Sequence, residues 1–306
     1  MFIERVDYRS EKDIPGGFDT LYQDYVPVYR VMVGGMSEVW ACLERRSGRL
    51  VAVKRLLPHA MEEWRSAGAG YYEAYALRSV RHPNVLEFLE KRYDGGAICL
   101  ITEFIAGINL AHFLNTWQLP IQGWLDIADQ LLSGLEALHH AGVVHGDIKP
   151  DNIMLMQTRE ENFQVKLLDF GLAIPLGLEW QREHAEAEVP PDVMATAEYV
   201  APELLRGKAP SVQSDLYAFA QTMYHCINGE PAFQSSDLQS LLQMQVNDDI
   251  IPLYEMRDDV PEIVWTWLAP MLEKNPDLRT PSVTAARNSL SRLRDQLACE
   301  MIETIE

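Results

Sequence analysis

Two short polar strings near the middle of the chain carry side chains that could move a phosphoryl group. The first, HGDIKPDN, contains Asp147, Lys149 and Asn152, and the second, LDFG, contains Asp169. Asp147 could accept the proton of a hydroxyl group, and Lys149 could neutralise charge on a transferring phosphate. Asn152 and Asp169 supply oxygen atoms suited to magnesium. Either string alone occurs by chance, but both in this order, joined by an apolar strand pair, are more specific.

A glycine-containing turn and a lysine form a second group in the first third of the chain. In the segment VGGMSEVW, Gly34 and Gly35 would let backbone N–H groups approach phosphates, although such a pair is more often a plain hairpin turn. Lys54 ends the run VAVK on the next predicted strand and would point toward the same phosphates, unless it is a surface lysine at a strand edge. Glu73, flanked by apolar residues, needs a cationic partner, and Lys54 is the natural candidate.

The composition indicates a globular protein that does not bind polyanions. The chain has 306 residues, of which 47% are hydrophobic and 23% charged, and its formal net charge is −19. This charge argues against nucleic-acid and anionic-membrane partners, so we expect neither. The amino-terminal residues are too charged for a signal peptide, and no apolar run is long enough to cross a bilayer. The 4 cysteines are widely scattered. We therefore expect a cytoplasmic protein with reduced thiols.

The elements that must position these residues change in character along the chain. After an irregular stretch at 1–24, β-branched segments predict strands at 25–33, 38–44, 50–56, 85–91 and 97–104, with a helix at 71–80. Helical spacing of apolar residues then predicts helices at 124–141, 214–228, 236–246, 261–273 and 282–297, with short strands at 153–156 and 165–168. A sheet followed by helices predicts an α+β protein with two lobes.

The motifs, taken in order, resemble those of a eukaryotic-like (Hanks-type) serine/threonine protein kinase with the character of bacterial members. The resemblance covers about residues 25–297. It implies a bilobal fold, with a small, mainly β amino-terminal lobe at 25–105 that contains one major helix. A larger helical carboxy-terminal lobe would occupy 106–297. Residues 1–24 would then be an extension and 298–306 a tail.

The resemblance also implies a role for each matching residue. Lys54 resembles the lysine that anchors ATP and Glu73 its helix partner. Asp147 matches the catalytic base and Lys149 the lysine of the same loop, while Asn152 and Asp169 match the Mg²⁺ ligands. The remaining ATP-binding positions are the glycine loop (Met32, Val33, Gly34, Gly35, Met36 and Ser37), the gatekeeper Thr102, the hinge (Glu103, Phe104 and Ile105), the residues that would sandwich adenine (Val39, Ala52 and Met154), and Asn109 near the ribose.

Three departures from the family pattern affect the predicted function. Met32 and Ser37 replace the first and third glycines of the loop, which predicts a stiffer loop. Gly146 replaces the arginine that normally pairs with a phosphate on the activation segment. Residues 172–195 contain no serine, threonine or tyrosine, although Thr196 occupies a substrate-adjacent position. The last two departures support one hypothesis, that phosphorylation of residues 172–195 does not switch the activity.

Several residues look structural. His145 is expected to bond to the backbone near Phe170, and Glu203 to pair with Arg279. Trp265 and Trp267 are expected to pack rather than to bind a ligand.

Three functions remain open. The motifs favour ATP-dependent phosphorylation of serine or threonine in a protein substrate, with a separate cytosolic partner supplying the activating signal. The altered glycine loop keeps a nucleotide-binding pseudokinase scaffold as an alternative. A small-molecule kinase is a third, because some such enzymes share the His-Gly-Asp string, but Pro150 and the segment 201–203 belong to peptide docking.

Overall fold

The computed structural model describes residues 18–57, 69–158, 162–176 and 197–303, and the chain divides into two compact units, Met1–Ala106 and Gly107–Glu306. Among the described residues, no helix is both long and apolar enough to cross a membrane.

The described residues of the first unit, 18–57 and 69–106, form a five-stranded antiparallel sheet and one α-helix. Its strands are β1 (Tyr25–Val33), β2 (Ser37–Glu44), β3 (Leu50–Leu56), β4 (Phe88–Asp94) and β5 (Ala97–Glu103), in the order β1-β2-β3-β5-β4, and its helix is α1 (Ala69–Ser79). Strand β4 begins three residues later than the predicted 85–91. Just before it, Glu87 donates its N–H to the side chain of Glu103 (2.8 Å) and not to a backbone carbonyl group.

One face of this sheet is covered by the residues that precede β1. Alternating β2 and β3 residues such as Trp40, Cys42 and Val53 form a buried core with Phe18 and Leu21. The segment 18–24, which the sequence predicted to be irregular, includes a 3₁₀ helix at Leu21–Gln23. Asp94 anchors the segment, since its Oδ1 accepts hydrogen bonds from Thr20 N (2.7 Å) and Thr20 Oγ1 (2.6 Å). The earlier residues of the predicted extension lie outside the described ones.

The second unit is mainly helical. Its helices are α2 (Leu110–Leu114), α3 (Ile121–His140), α4 (Pro202–Leu205), α5 (Val212–Asn228), α6 (Leu238–Asn247), α7 (Leu253–Met256), α8 (Glu262–Leu268) and α9 (Val283–Glu303). Its short strands are β6 (Ile108–Asn109), β7 (Val143–Val144), β8 (Ile153–Gln157), β9 (Phe163–Leu167) and β10 (Ile174–Pro175), which form the sheets β6-β8-β9 and β10-β7.

Three of the predicted helices differ by about a turn or more from the observed ones. The helix predicted at 282–297 continues to Glu303, so the predicted tail 298–306 begins as helix. The helix predicted at 124–141 begins one turn earlier, after the amino-terminal cap Pro120, and ends at His140. The single helix predicted at 261–273 is wrong. Helix α8 stops at Leu268, and a 3₁₀ helix at Ala269–Met271 follows, since Pro270 has no N–H group to donate to an α-helical carbonyl.

Helices α3 and α5 form the core of the second unit. Trp124 on α3 is fully buried, and its indole N–H donates to Met223 O on α5 (2.8 Å). Trp267 on α8 packs edge-on against Trp124, with ring centroids 5.5 Å apart. The expected packing role of Trp267 is therefore confirmed. This core fixes the start of α5 close to the loop that follows β7.

Candidate active site

The loop between β7 and β8 holds Asp147 in a fixed orientation. Its Oδ2 accepts a hydrogen bond from Asn152 Nδ2 (2.8 Å) and lies 3.0 Å from Lys149 Nζ. Its Oδ1 is buried and has no hydrogen-bond partner among the described residues. The carboxylate therefore has one oxygen held by the loop and one left to accept a further proton donor.

Asn152 is oriented by the same loop. Its amide nitrogen donates both to Asp147 Oδ2 and to Asp147 O, each at 2.8 Å. The side-chain oxygen consequently points the other way, and no residue in the described part of the chain donates to it. The backbone of Asn152 also accepts a hydrogen bond from Leu168 N (2.8 Å), which ties this loop to the LDFG segment.

Asp169 lies in an exposed, left-handed backbone position. Its φ is +51°, unusual for a residue with a side chain, and its Oδ1 accepts from Gly171 N (3.2 Å). Backbone conformations of this kind cost free energy and often occur at functional sites. The next residue, Phe170, is fully buried, and its ring packs against His145 with centroids 4.8 Å apart.

His145 has the structural role expected from the sequence. Its Nδ1 accepts from Asp147 N (3.2 Å), so its Nε2 carries the proton and donates to Leu168 O (2.9 Å). The neutral imidazole therefore links the backbone of the Asp147 loop to the residue before Asp169, and both polar strings belong to one hydrogen-bonded assembly.

Asp215 on α5 supports this assembly; the sequence indicated a structural role for residues 214–217 but did not indicate these partners. Its carboxylate accepts from His145 N (2.9 Å), Gly146 N (2.9 Å) and His139 Nε2 (2.8 Å). The side chain is almost completely buried. An aspartate among the apolar residues of a predicted helix needs such partners, and this was the available indication in the sequence.

Gly146 is required by the geometry of the loop. Its φ is +78°, and a Cβ atom added there would lie 2.8 Å from Leu172 O. An arginine at this position would meet both strain and a backbone clash. The residues after LDFG are held beside the loop by other means, because β10 pairs with β7 and Leu176 N donates to Gly142 O (2.7 Å). Residues 177–196, which include Thr196, lie outside the described residues.

Glu203 and Arg279 form the predicted ion pair. Arg279 Nη1 lies 2.6 Å from Glu203 Oε1, and Arg279 Nη2 lies 2.7 Å from Glu203 Oε2. The arginine and glutamate side chains are 0% and 3% exposed. The pair fixes α4 to the segment before α9, and the prediction is confirmed.

In the first unit, Lys54 and Glu73 also form the predicted pair. Lys54 Nζ lies 2.7 Å from Glu73 Oε1, and the glutamate side chain is 2% exposed. Lys54 is opposite Val39 on the neighbouring strand, while Ala52 is opposite Thr102 on β5. The register places these four residues on one face of the sheet, opposite to the face covered by residues 18–24.

The glycine loop is a closed turn between β1 and β2. Gly34 N donates to Ser37 O (2.8 Å), and a Cβ atom at Gly34 would meet nothing closer than 3.6 Å. Met32, Val33 and Met36 are exposed by 54%, 55% and 45%. Gly34 is therefore not needed sterically here, and phosphate binding by residues 32–37 stays a prediction.

Some of the remaining predicted nucleotide contacts already have hydrogen-bond partners within the protein. In the hinge segment of Glu103, Phe104 and Ile105, Glu103 N donates to Glu87 O (3.0 Å). Asn109 caps α2, accepting from Ala111 N (2.9 Å), while its amide nitrogen donates to Asp151 O. Met154 lies on β8 opposite Asn109. A ribose contact from Asn109 would compete with its capping role, and it stays a prediction.

The arrangement within each unit matches a known family. The family model for the protein kinase domain matches residues 28–290. The chain therefore belongs to the protein kinase domain family.

Several curated relatives within that family are bacterial serine/threonine protein kinases. A probable serine/threonine-protein kinase of Bifidobacterium longum, pknA2, is 27% identical over 90% of this chain and 36% of its own length. Serine/threonine-protein kinase pkn3 of Myxococcus xanthus is 30% identical over 84% of this chain and 47% of its own length. PknA of Mycobacterium tuberculosis is 30% identical over 81% of this chain and 56% of its own length. The chain thus spans about half the length of these relatives or less, and the region it shares with them is similar to the kinase regions of bacterial serine/threonine protein kinases.

A solved structure supports the fold. The kinase domain of Rad53, in a complex with AMPPNP, superimposes with a TM-score of 0.63 and 21% sequence identity, over 88% of this chain and 89% of that one. The predicted bilobal α+β kinase fold is confirmed.

Proposed function

We propose that this chain transfers the γ-phosphoryl group of ATP to a serine or threonine hydroxyl of a protein, with Asp147 as the catalytic base. The observation that supports this most directly is the asymmetry of the Asp147 carboxylate. Asn152 and Lys149 hold Oδ2, at 2.8 and 3.0 Å, while the buried Oδ1 has no partner in the described part of the chain. A buried acceptor without a donor carries a free-energy cost that an incoming hydroxyl group would remove.

The reaction follows from the positions of these groups. The substrate hydroxyl donates its proton to Asp147 Oδ1 as its oxygen bonds to the γ-phosphorus. The bond between that phosphorus and the bridging oxygen breaks, and ADP leaves with the electron pair. Lys149, whose ammonium group lies 3.0 Å from the same carboxylate, would neutralise charge that develops on the transferring group.

The oxygen atoms of Asn152 and Asp169 fit a magnesium ion. The amide nitrogen of Asn152 is turned to Asp147, so its oxygen faces away and accepts nothing from the described residues. Mg²⁺ prefers oxygen ligands, and the exposed Asp169 carboxylate provides a charged one. When bound there, magnesium would neutralise phosphate oxygens and orient the triphosphate.

In the first unit, Lys54 is proposed to bind the α- and β-phosphates. The buried Glu73 fixes its ammonium group at 2.7 Å. Val39, Ala52 and Thr102 share the face of Lys54. This shared face supports the proposal that they contact adenine together with the hinge residues 103–105. For Met154 the same role is proposed from the family resemblance alone.

We also propose that phosphorylation between residues 172 and 195 does not switch the activity. The segment offers no hydroxyl group. At Gly146, the steric contact with Leu172 O leaves no room for the arginine that would bind a phosphate. Phosphatase treatment should therefore leave the transfer rate unchanged. A large loss of rate that follows removal of a phosphate from this segment would refute the proposal.

A catalytic-base variant tests the main reaction. Purified protein is incubated with labelled ATP, Mg²⁺ and a generic basic protein substrate, beside Asp147→Asn and the exposed control Asp258→Asn. The amide in Asp147→Asn cannot accept the hydroxyl proton, so transfer should fall by at least about 100-fold, while Asp258→Asn should retain the rate. Equal rates in all three proteins would contradict the proposal.

The altered glycine loop favours one other candidate, a nucleotide-binding scaffold. Met32 and Ser37 stand where the family has glycines, and a stiffer loop could hold ATP without turnover. Tight nucleotide binding with no transfer in the wild-type chain would support this candidate. The third candidate is still a small-molecule kinase. The cytoplasmic location and the cytosolic regulatory partner stay predictions.

A further inference from the structure

A buried glutamine on α6 holds the backbone at residues 197 and 198, shortly before α4. Gln245 is completely buried. Its Nε2 donates to two successive carbonyl groups, Ala197 O at 3.0 Å and Glu198 O at 2.6 Å. Both donor hydrogens of one amide are thus used on adjacent residues of another segment, 47 and 48 positions away.

The other end of the same amide is fixed as well. Gln245 Oε1 accepts from Tyr217 Oη (2.8 Å) and Gln221 Nε2 (3.3 Å), both on α5. The ammonium group of Lys274 donates to Gln245 O (2.8 Å) and lies 4.5 Å from the ring centre of Phe233. The amide nitrogen of Gln245 faces two carbonyl acceptors, and its amide oxygen faces two donors. Exchanging the two atoms would break all four hydrogen bonds, so the amide has a single satisfactory orientation.

The residues that follow Ala197 and Glu198 lie beside the proposed catalytic base, Asp147. Tyr199, Val200 and Ala201 line a small cavity together with Asp147 and Asp215. A second anchor follows Glu198, since Tyr199 Oη lies 2.7 Å from His225 Nδ1 on α5. The position of residues 197–201 relative to Asp147 therefore depends on contacts with α5 and α6, and Gln245 provides the two that involve the backbone.

We propose that Gln245 is a positioning residue for the protein substrate: it fixes residues 197–201 so that the substrate hydroxyl is presented to Asp147. This inference rests on the proposed transfer to a protein. Gln245 touches neither nucleotide nor reacting atoms in this assignment. Its loss should affect protein phosphorylation and leave the reaction of bound ATP with water unchanged.

The test is a pair of isosteric substitutions on one helix. Gln245→Glu replaces the donating amide with a carboxylate oxygen that faces two carbonyl oxygens. Gln243→Glu makes the same change two residues earlier, at an exposed position. For Gln245→Glu, kcat/KM for the protein substrate should fall about tenfold or more, because two hydrogen bonds are lost. The KM for ATP, and ATP hydrolysis without protein substrate, should stay within about twofold of the wild-type values. Gln243→Glu should match the wild type in every measurement.

The two activities separate positioning from general damage. Protein phosphorylation and ATP hydrolysis that fall by the same factor would overturn the proposal, as would a Gln245→Glu protein that phosphorylates as well as the wild type. If Gln245→Glu does not fold, Gln245→Asn keeps the amide but withdraws it by one methylene group, and it should show the same selective loss.

Hydrogen exchange of the backbone amides provides a readout that needs no catalysis. In Gln245→Asn, the amides of residues 199–201 and of Glu203 should exchange about tenfold faster than in the wild type, while those of β8 and β9 should not change. Unchanged exchange at residues 199–201 and Glu203 would overturn the positioning role. A wild-type chain without any transfer to protein would refute the proposed function, and the exchange result would then decide the role of Gln245 alone.

Discussion

Removing Arg279 should destabilise the second unit strongly, because its partner Glu203 cannot reach water. The Glu203 side chain is 3% exposed, and its carboxylate accepts hydrogen bonds from Nη1 and Nη2 of Arg279, at 2.6 and 2.7 Å. Arg279 also donates to Gln213 O (2.8 Å) and, through Nε, to Glu273 O (2.7 Å). Arg279→Leu would leave a buried charge and two partly buried carbonyl groups without these donors.

The magnitude follows from what is left behind rather than from the attraction within the pair. Breaking a buried ion pair by removing one partner costs about 3–5 kcal/mol, whereas replacing both partners by apolar residues is often nearly neutral. For a unit of this size, each kcal/mol lowers the melting temperature by about 2–4 °C. Arg279→Leu should therefore lower it by about 10 °C, and Arg279→Leu with Glu203→Leu should recover much of that loss.

A double-mutant cycle tests this prediction. Calorimetry gives the unfolding free energies of Arg279→Leu, Glu203→Leu, the double variant and a control variant. The control is Arg294→Leu, whose ion pair with Asp126 (2.8 Å) is 32% and 42% exposed, and which should cost less than about 1 kcal/mol. The coupling energy between Arg279 and Glu203 should exceed about 2 kcal/mol. Additive effects of the two substitutions, or a cost for Arg279→Leu no larger than that of the control, would refute the reasoning.

Two further predictions concern glycine and histidine. Gly146→Ala should destabilise the fold by at least about 1–2 kcal/mol, because φ is +78° and the new methyl group would meet Leu172 O. At Gly123 on α3, an added Cβ atom would meet nothing closer than 3.5 Å, so Gly123→Ala should stabilise the fold by about 0.5–1 kcal/mol. Denaturant unfolding measures both changes in the free energy of unfolding, and a change of the opposite sign would contradict the corresponding prediction. Burial lowers the pKa of His225 from 6.5, so below about pH 6.5 the unfolded chain binds a proton that the folded chain does not. The free energy of unfolding should then decrease as the pH is lowered, and the His225→Gln protein should lack this part of the slope.

The sequence predicted most elements of the fold because their local patterns agree with their tertiary environment. Strands β1 and β3 have the predicted bounds, and in β3 the buried Val51 and Val53 alternate with the less buried Ala52 and Lys54. The prediction failed where one residue or one contact overrides the pattern. Pro270 ends the helix that apolar spacing would continue to Glu273, and just before β4 Glu87 donates its N–H to the Glu103 side chain and not to a backbone carbonyl group.

The site was predictable where chemistry is concentrated in short strings. The pairing of Lys54 with Glu73 and of Glu203 with Arg279 followed from charged residues in apolar surroundings, which need partners. Gln245 gave no such indication, because a neutral glutamine on a helix is equally typical of an exposed surface. Its contacts include Tyr217 and two carbonyl groups that are distant in the sequence, and only the tertiary structure brings them together.

The segment 18–24 has a practical consequence for anyone who shortens this protein. The matched family region begins at residue 28, and a fragment cut there would lack Phe18 and Leu21, which cover Trp40 and Val53. The face of the sheet that residues 18–24 cover would then expose apolar side chains to water, and the fragment should self-associate during purification. A trimmed protein intended for crystals or enzymology should therefore keep the chain from residue 18 onward.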